Sequence, residues 1–333
     1  MESKTNKKKA FKIQKPFLKW VGGKTQMIEK IIQKFPKNIN NYYEIFLGGG
    51  SVLFALLSMK KQGLINVQNK IFAYDLNSDL INVYKTIQNI ESKNKLFDCL
   101  FKIVNEYDSI AKVDKKKLSK VLNRKSKNKE EAQKCKENYY YWIRSKYNSG
   151  VDVDIIKKSA MFIFLNKTGF RGMYRVGPNG FNIPYGHYKK TPKFFTKKEY
   201  DLISDLIQDV EFVSSGFETS LTNFVKGDFI YLDPPYAPID KNSFVGYTKD
   251  GFTYEKHIEL FDIIKKIGYI DGFSSEVKFL MSNAKVKLVE DNFCHDGDDE
   301  DEKKKINIED VLARRAINSK NPGAKAKEVL IWN

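Results

Sequence analysis

Four consecutive residues, Asp233-Pro234-Pro235-Tyr236, hold the chemistry that is easiest to read in this chain of 333 residues. A carboxylate accepts N–H donors. Proline has no N–H and a fixed φ, so the carbonyls of Asp233 and Pro234 can face outward as further acceptors. Tyr236 adds an aromatic surface. Together these suit a flat heterocycle with an exocyclic amine, gripped by its N–H groups and stacked on the ring. Asp-Pro-Pro is also a good plain strand terminator, and on its own it settles nothing.

The elements that must position this acid can be read around it. Phe229-Ile230-Tyr231-Leu232 is an apolar run of strand length. Two prolines cannot continue a ladder, so Asp233 is expected at the carboxyl end of a buried strand, where open α/β sheets bind ligands. Tyr42–Phe46 reads as an earlier strand, Leu47-Gly48-Gly49-Gly50-Ser51 as a turn, and Val52–Leu57 as a helix. Gly48 and Gly50 allow close approach of the backbone to a ligand. A dinucleotide fingerprint would need a glycine at Leu53. Lys70–Tyr74 is a second strand, ending in Asp75-Leu76-Asn77, where an acid can accept both ribose hydroxyls. The helix Asp79–Asn89 follows. Gly22-Gly23-Lys24 opens a helix over Thr25–Phe35. With Leu18 where a phosphate loop needs glycine and no strand before it, a triphosphatase is excluded, and Lys24 is left free to hold a carboxylate.

Residues 91–160 are lysine-rich and helical in pattern. Within them 112–136 is a solvated basic excursion, and the aromatics of 138–144 pack in a small core. Ala160–Leu165 is apolar and buried. Residues 166–188 mix Asn166, Arg171, Tyr174, Arg175 and Asn182 with many glycines. The turn signal Pro178-Asn179-Gly180 makes this a β-hairpin flanked by loops. Arginine reads guanine and asparagine reads adenine in the major groove, so the stretch is a candidate for base contacts. From residue 199 the α/β pattern returns, with a helix over 202–207, a strand over 210–213 and Phe217 at the start of a short helix. A long loop over 237–251 with Phe244, Tyr247 and Lys249 suits a lid. A helix over 254–267, a strand over 278–281 and a final strand over 328–332 follow. Arg314 and Arg315 are candidate phosphate contacts. Residues 295–305 are a charged loop without calcium-loop spacing.

The formal net charge of +17 points to a polyanionic partner. The lysine-rich residues 1–10 form a basic tail. No run spans a bilayer and no export signal is visible, so no membrane partner and a cytoplasmic location are expected. Cys99, Cys135 and Cys294 form no disulfide or zinc pattern. His187, His257 and His295 have no metal-ligand spacing and are expected at the surface or in local hydrogen bonds. No metal is expected.

The ordered set Phe17-Leu18-Lys19-Trp20-Val21-Gly22-Gly23-Lys24, Phe46-x-Gly48-x-Gly50, Asp75-Leu76-Asn77, Asp233-Pro234-Pro235-Tyr236 and Ser282-Asn283 resembles the Dam-type (D12 class, alpha group) DNA adenine-N6 methyltransferases over nearly the whole chain. The resemblance implies an α/β, doubly wound Rossmann-like domain (11–90 and 200–333). It also implies an inserted, mainly helical DNA-recognition domain with a β-hairpin (91–199). S-adenosylmethionine is the implied methyl donor, leaving S-adenosylhomocysteine. By position, Trp20, Gly23 and Lys24 would meet its methionine end, Phe46, Gly48 and Gly50 would form its loop, Asp75 would hold the ribose, and Leu76 and Phe217 would flank the adenine. Asp233 would lie near both cofactor and target, with Pro234, Pro235 and Tyr236 completing the catalytic motif. Lys19, Asn166, Arg171, Tyr174, Arg175, Asn182, Arg314 and Arg315 would face double-stranded DNA. Expected partners are that DNA and a cognate restriction endonuclease without a stable complex, with the enzyme a monomer or weak dimer. GATC is the family's default target. Departures include Ile45 where proline is usual and Arg171-Gly172 where Asn-Gly is common. Methylation of cytosine N4 or of RNA adenine, and a catalytically silent nucleic-acid binder, are the alternatives.

Overall fold

A computed structural model describes residues 12–150, 154–238, 251–268, 276–294, 306–314 and 325–333. The basic tail, the centre of the 237–251 loop with Phe244, Tyr247 and Lys249, the charged loop 295–305 and Arg315 lie outside the described residues.

Seven strands form the central sheet: β1 (Tyr42–Glu44), β2 (Ile71–Asp75), β3 (Val210–Ser214), β4 (Phe229–Leu232), β5 (Lys278–Ala284), β6 (Asn307–Arg314) and β7 (Lys325–Trp332). Their order is β6-β7-β5-β4-β1-β2-β3. The five from β3 to β5 pair in parallel, while β7 runs antiparallel between β5 and β6. From β1 the chain winds outward through β2 and β3, then returns to pair β4 on the other side of β1. The order reverses between β1 and β4, and at such a reversal the carboxyl ends of two neighbouring strands open a crevice.

All four residues of β4 are buried, as a strand covered on both faces requires. Phe229 and Tyr231 join one apolar cluster, and Ile230 and Leu232 join the cluster on the opposite face. The larger cluster rests on α2 (Ser51–Lys61) and α3 (Ser78–Gln88) and includes the helix α6 (Ile155–Thr168). α6 packs on both α3 and α4 (Ile90–Ser109), and α5 (Lys136–Ser149) packs on α6. The buried aromatics Tyr139 and Tyr140 of α5 therefore belong to the main core rather than to a small core of their own. The basic run 112–136 forms two short helices, Lys115–Val121 and Lys129–Ala132. Val176–Gly177 and Gly180–Phe181 pair antiparallel around Pro178-Asn179. Asn148 of α5 grips this small hairpin by accepting from the Phe181 N–H and donating to its carbonyl, both at 2.9 Å.

The expected helix over 25–35 is split into a 3-10 turn, Lys24–Gln26, and a short α1, Ile28–Gln33. His257, on α8 (Tyr254–Gly268), is corrected: it is fully buried, with neither ring nitrogen hydrogen-bonded, against Phe252 and Phe261. Its helical spacing with Leu260, Phe261 and Ile264 places it on the core face, which a residue-type reading overlooks. Burial pushes its pKa down to about 4. The unfolded chain titrates near 6.5, so it binds a proton between about pH 6.5 and 4 that the folded protein refuses. Stability should then fall by on the order of 3 kcal/mol as pH drops through that window. His257→Leu is expected to remove most of this loss, and denaturant unfolding at pH 7.5 and pH 4.5 checks it.

Candidate active site

The crevice at the β1–β4 reversal receives four segments. Pairing of β4 with β5 ends at Leu232 opposite Met281, so Asp233 stands just past the ladder. β1 ends beside it, with the Ile45 N–H bonded to the Tyr231 carbonyl at 3.1 Å. The glycine turn after β1 and Asp75 at the tip of β2 complete the rim.

Asp233 is paired with Lys24: the ammonium lies 2.6 Å from Oδ1 and is itself only 4% exposed. It also donates to the Gly22 carbonyl at 2.8 Å and stands 4.8 Å from the centre of the Tyr236 ring. Gly22 has φ +80°, a turn that carries the lysine inward. The Lys24 backbone N–H donates to Ser51 Oγ at 3.1 Å, which ties this turn to the start of α2. Burial pushes the Asp233 carboxyl up to about 6; Lys24 opposes that, and Glu328 adds to it.

Asp75 braces the glycine turn. Its Oδ2 accepts from the Gly48 N–H and its Oδ1 from the Asn77 N–H, both at 2.9 Å. Burial raises its pKa and these two bonds hold it back. Each oxygen keeps a lone pair for a further donor. A Cβ on Gly48 would come within 2.8 Å of the Trp20 ring, so glycine here admits the indole. Trp20 stacks on Tyr174 and Phe162 at 5.9 and 6.3 Å. Phe46 and Phe217 face each other at 6.2 Å, and both pack on Phe252. Leu76 is 59% exposed. A diol acceptor, a glycine turn and apolar faces suit the two ends of an adenosine.

The residues expected on DNA divide. Asn166 is buried and spends its amide on the Lys19 backbone: Oδ1 accepts from the Lys19 N–H at 2.9 Å and Nδ2 donates to the Lys19 carbonyl at 2.6 Å. It positions Lys19 rather than offering an amide at the surface. The Lys19 ammonium lies over the Tyr188 ring at 4.4 Å. Arg171, in the left-handed region at φ +55°, and Arg175 are both exposed. The Arg175 Nε donates to Asn182 Oδ1 at 2.7 Å. Tyr174 is half-buried against Trp20 and Phe181. Arg314 ends β6.

Residues 20–307 match the family of D12 class N6 adenine-specific DNA methyltransferases. The chain belongs to this family. It is 35% identical to the type II methyltransferase M.MjaIII of Methanocaldococcus jannaschii, over 96% of this chain and 99% of that protein. It is 29% identical to the type II methyltransferase M1.LlaDCHI of Lactococcus lactis subsp. cremoris, over 96% and 95%. With the DNA adenine methylase of Escherichia coli K12 it shares 26% identity over 93% and 91%.

In this D12-class enzyme several site residues escape a reading of the sequence. Glu44, the last residue of β1, is 2% exposed and accepts from the Tyr42 hydroxyl at 2.8 Å. Burial pushes its carboxyl up to about 8, with Asp233 adding to the rise. An acid inside an apolar strand was the available signal. Asp79 accepts from Lys158 at 2.6 Å and from the Tyr147 hydroxyl at 2.5 Å, joining the start of α3 to α5 and α6. Glu328 of β7 accepts from the Tyr236 hydroxyl at 2.5 Å.

The folded-state value of Glu44 lies above its unfolded value near 4.3, so the folded protein holds the extra proton. The stability this contributes is complete below about pH 4 and is lost as pH climbs toward 8. Glu44→Gln mimics the protonated acid. It is expected to melt at or above the wild-type temperature at pH 8 and to narrow the difference at pH 5, as read by thermal melts at both pH values.

Proposed function

We propose that this adenine-specific DNA methyltransferase uses S-adenosylmethionine to methylate N6 of an adenine flipped out of a short duplex motif. The carrying observation is Asp233, set past the last paired residue of β4 and already holding an N–H donor, the Lys24 ammonium, at 2.6 Å. A carboxylate that takes one N–H donor in a largely dry crevice can take another. Pairing with a nucleobase amine displaces Lys24 from Asp233 and frees it for the cofactor's carboxylate.

The donor set fits the cofactor: Asp75 for the ribose, the Gly48–Gly50 turn, Phe46, Leu76 and Phe217 for the adenine, and Trp20, Gly23 and Lys24 toward the methionine end. When bound, it supplies an electrophilic methyl group on a sulfonium. The chain's own residues do the rest. Asp233 and the Pro234 carbonyl accept the two amine N–H groups and so aim the nitrogen lone pair away from themselves. The same acceptors stabilise positive charge developing on the amine. Tyr236 stacks on the flipped base, which has lost its neighbours in the duplex. Alignment supplies much of the rate, and Asp233 need not be a strong base, because the methylated ammonium is acidic and its surplus proton passes to solvent.

Residues 91–199 serve target recognition and 11–90 with 200–333 catalysis, on one shared core. Arg171, Tyr174, Arg175 and Asn182 around the hairpin, with Lys19, are the proposed DNA contacts, and Arg314 and Arg315 are proposed phosphate contacts. The exposed lysines of 112–127 add positive field, which favours a phosphate backbone. GATC is the first motif to test. The type II names of M.MjaIII and M1.LlaDCHI support a restriction–modification role with a cognate endonuclease. A cytoplasmic location and a monomer or weak dimer complete the proposal.

Tritiated methyl transfer to unmethylated plasmid, with long-read mapping, is expected to give N6-methyladenine at one short motif. N4-methylcytosine, or transfer to RNA alone, would refute the reading. Asp233→Ala should abolish transfer with the fold retained, and wild-type kcat/KM should fall below about pH 6 as Asp233 protonates. Arg171→Ala and Arg175→Ala are each expected to cost roughly 1–3 kcal/mol per lost base contact, measured by salt titrations on matched and mismatched duplexes.

A further inference from the structure

Tyr236 is tied down at two points by strands it does not belong to. Its hydroxyl donates to Glu328 Oε2 at 2.5 Å. Glu328 is only 9% exposed and sits on β7 opposite Ala284 of β5. The residue before Ala284, Asn283, is fully buried, and its Oδ1 accepts from the backbone N–H of Ala237 at 3.0 Å and of Ala284 at 2.8 Å. The backbone just after the tyrosine is therefore held from β5, and the far end of its ring from β7. To swing, the ring would have to leave a buried carboxylate without its donor, and a buried acceptor left unpaired costs its full desolvation. β7 also lies beyond the 20–307 span that carries the family match.

We propose that Glu328 is a positioning residue for methyl transfer: from β7 it accepts the Tyr236 hydroxyl and so anchors the far end of the ring against which the target base stacks. This role rests on the methyl-transfer reading above. Glu328 acts on the acid as well as on the ring. Among the described residues, Lys24, Glu44, Glu328, Tyr231 and Tyr236 bear electrostatically on Asp233. Of these, Lys24 stabilises the ionised carboxylate and Glu328 opposes it. One side chain thus sets both the stacking surface and the pH below which the acid closes down.

The test compares full-length wild type with Glu328→Ala, Glu328→Gln, Tyr236→Phe and the double variant Glu328→Ala/Tyr236→Phe. The readouts are kcat and KM with S-adenosylmethionine and unmethylated DNA, cofactor binding by calorimetry, and the pH profile of kcat/KM. Glu328→Ala and Tyr236→Phe are each expected to lower kcat by roughly 10- to 100-fold through misplacement of the ring, with cofactor affinity unchanged. The double variant should be no worse than the poorer single, because both break one bond and the double leaves no orphaned acid. Glu328→Gln keeps an acceptor oxygen but no charge. It should recover most of kcat and move the acid limb to lower pH, since Asp233 loses a like-charged neighbour. Wild-type kcat in Glu328→Ala, or additive losses in the double, would overturn the role. Where the alanine variant fails to fold, Tyr236→Phe and Glu328→Gln decide: wild-type kcat in Tyr236→Phe overturns the proposal, and a lowered kcat there with kcat retained in Glu328→Gln supports it. Failure of the wild type to methylate any DNA overturns the functional reading and this role with it; an active wild type with an unimpaired Glu328→Ala overturns this role alone.

Discussion

Asp233 has to be dry to direct a donor and ionised to accept one, and burial opposes ionisation. The Lys24 ion pair reconciles the two. Taking a carboxylate and an ammonium out of water costs several kcal/mol each, so the pair survives only where its geometry is enforced. Two prolines cut β4 at Leu232 and leave the acid just past the ladder. The left-handed Gly22 turns Lys24 inward, and Ser51, first residue of α2, fixes its backbone. Because Ser51 directly follows the glycine turn, one short stretch of chain positions both the counter-ion and the loop that Asp75 braces.

The same economy explains why the helical part cannot be read apart from the sheet. Residues 17–24 lie between them. Phe17 packs edge-on against Phe54, Tyr84 and Tyr200, from α2, α3 and α7 (Lys197–Leu206). Two residues on, Asn166 at the end of α6 clamps the Lys19 backbone on both sides. Trp20 then lies over the glycine turn and against Tyr174, just before the hairpin. A base seated near Tyr236 and a duplex read near Arg171 and Arg175 would share this strap as their mechanical link. Asn166 is more valuable there as a buried clamp than as one reader of adenine among several.

What was legible in the sequence was local. Apolar runs bounded by glycine and proline gave β1, β2 and β4 within a residue or two, because a strand covered on both faces must be apolar throughout. The tips of those strands gave Asp75 and Asp233, because parallel sheets bind at their carboxyl ends. What stayed hidden depends on pairing between distant residues. No spacing rule joins Tyr236 to Glu328, 92 positions away, or Asn166 to Lys19, 147 away. The order of the sheet brings those residues together, and a one-dimensional pattern does not carry that order. His257 failed differently: its position on the apolar stripe of α8 was visible, but its residue type outweighed the helical period. Glu44 likewise stood in plain view inside a strand, and only its burial tells that it is a hydrogen-bonding neutral acid near pH 7 rather than a charge.

That last point decides the electrostatics of the crevice. Glu44 and Glu328 both bear on Asp233, which pairs with Lys24. Were Glu44 and Asp233 both ionised, each would raise the cost of the other's charge. Burial resolves this by holding the Glu44 carboxyl up near 8, so it enters as a hydroxyl donor or acceptor at neutral pH. Asp233, pushed up to about 6 by burial against the pull of Lys24, is only modestly committed to its charge. Remove the ammonium and the balance tips: burial and Glu328 both favour a protonated Asp233, which has one oxygen fewer to offer an amine. On the proposed reading the cation that leaves with Lys24 must be replaced as the target amine arrives. A cationic methyl donor would favour the ionised carboxylate there, as Lys24 does before it leaves.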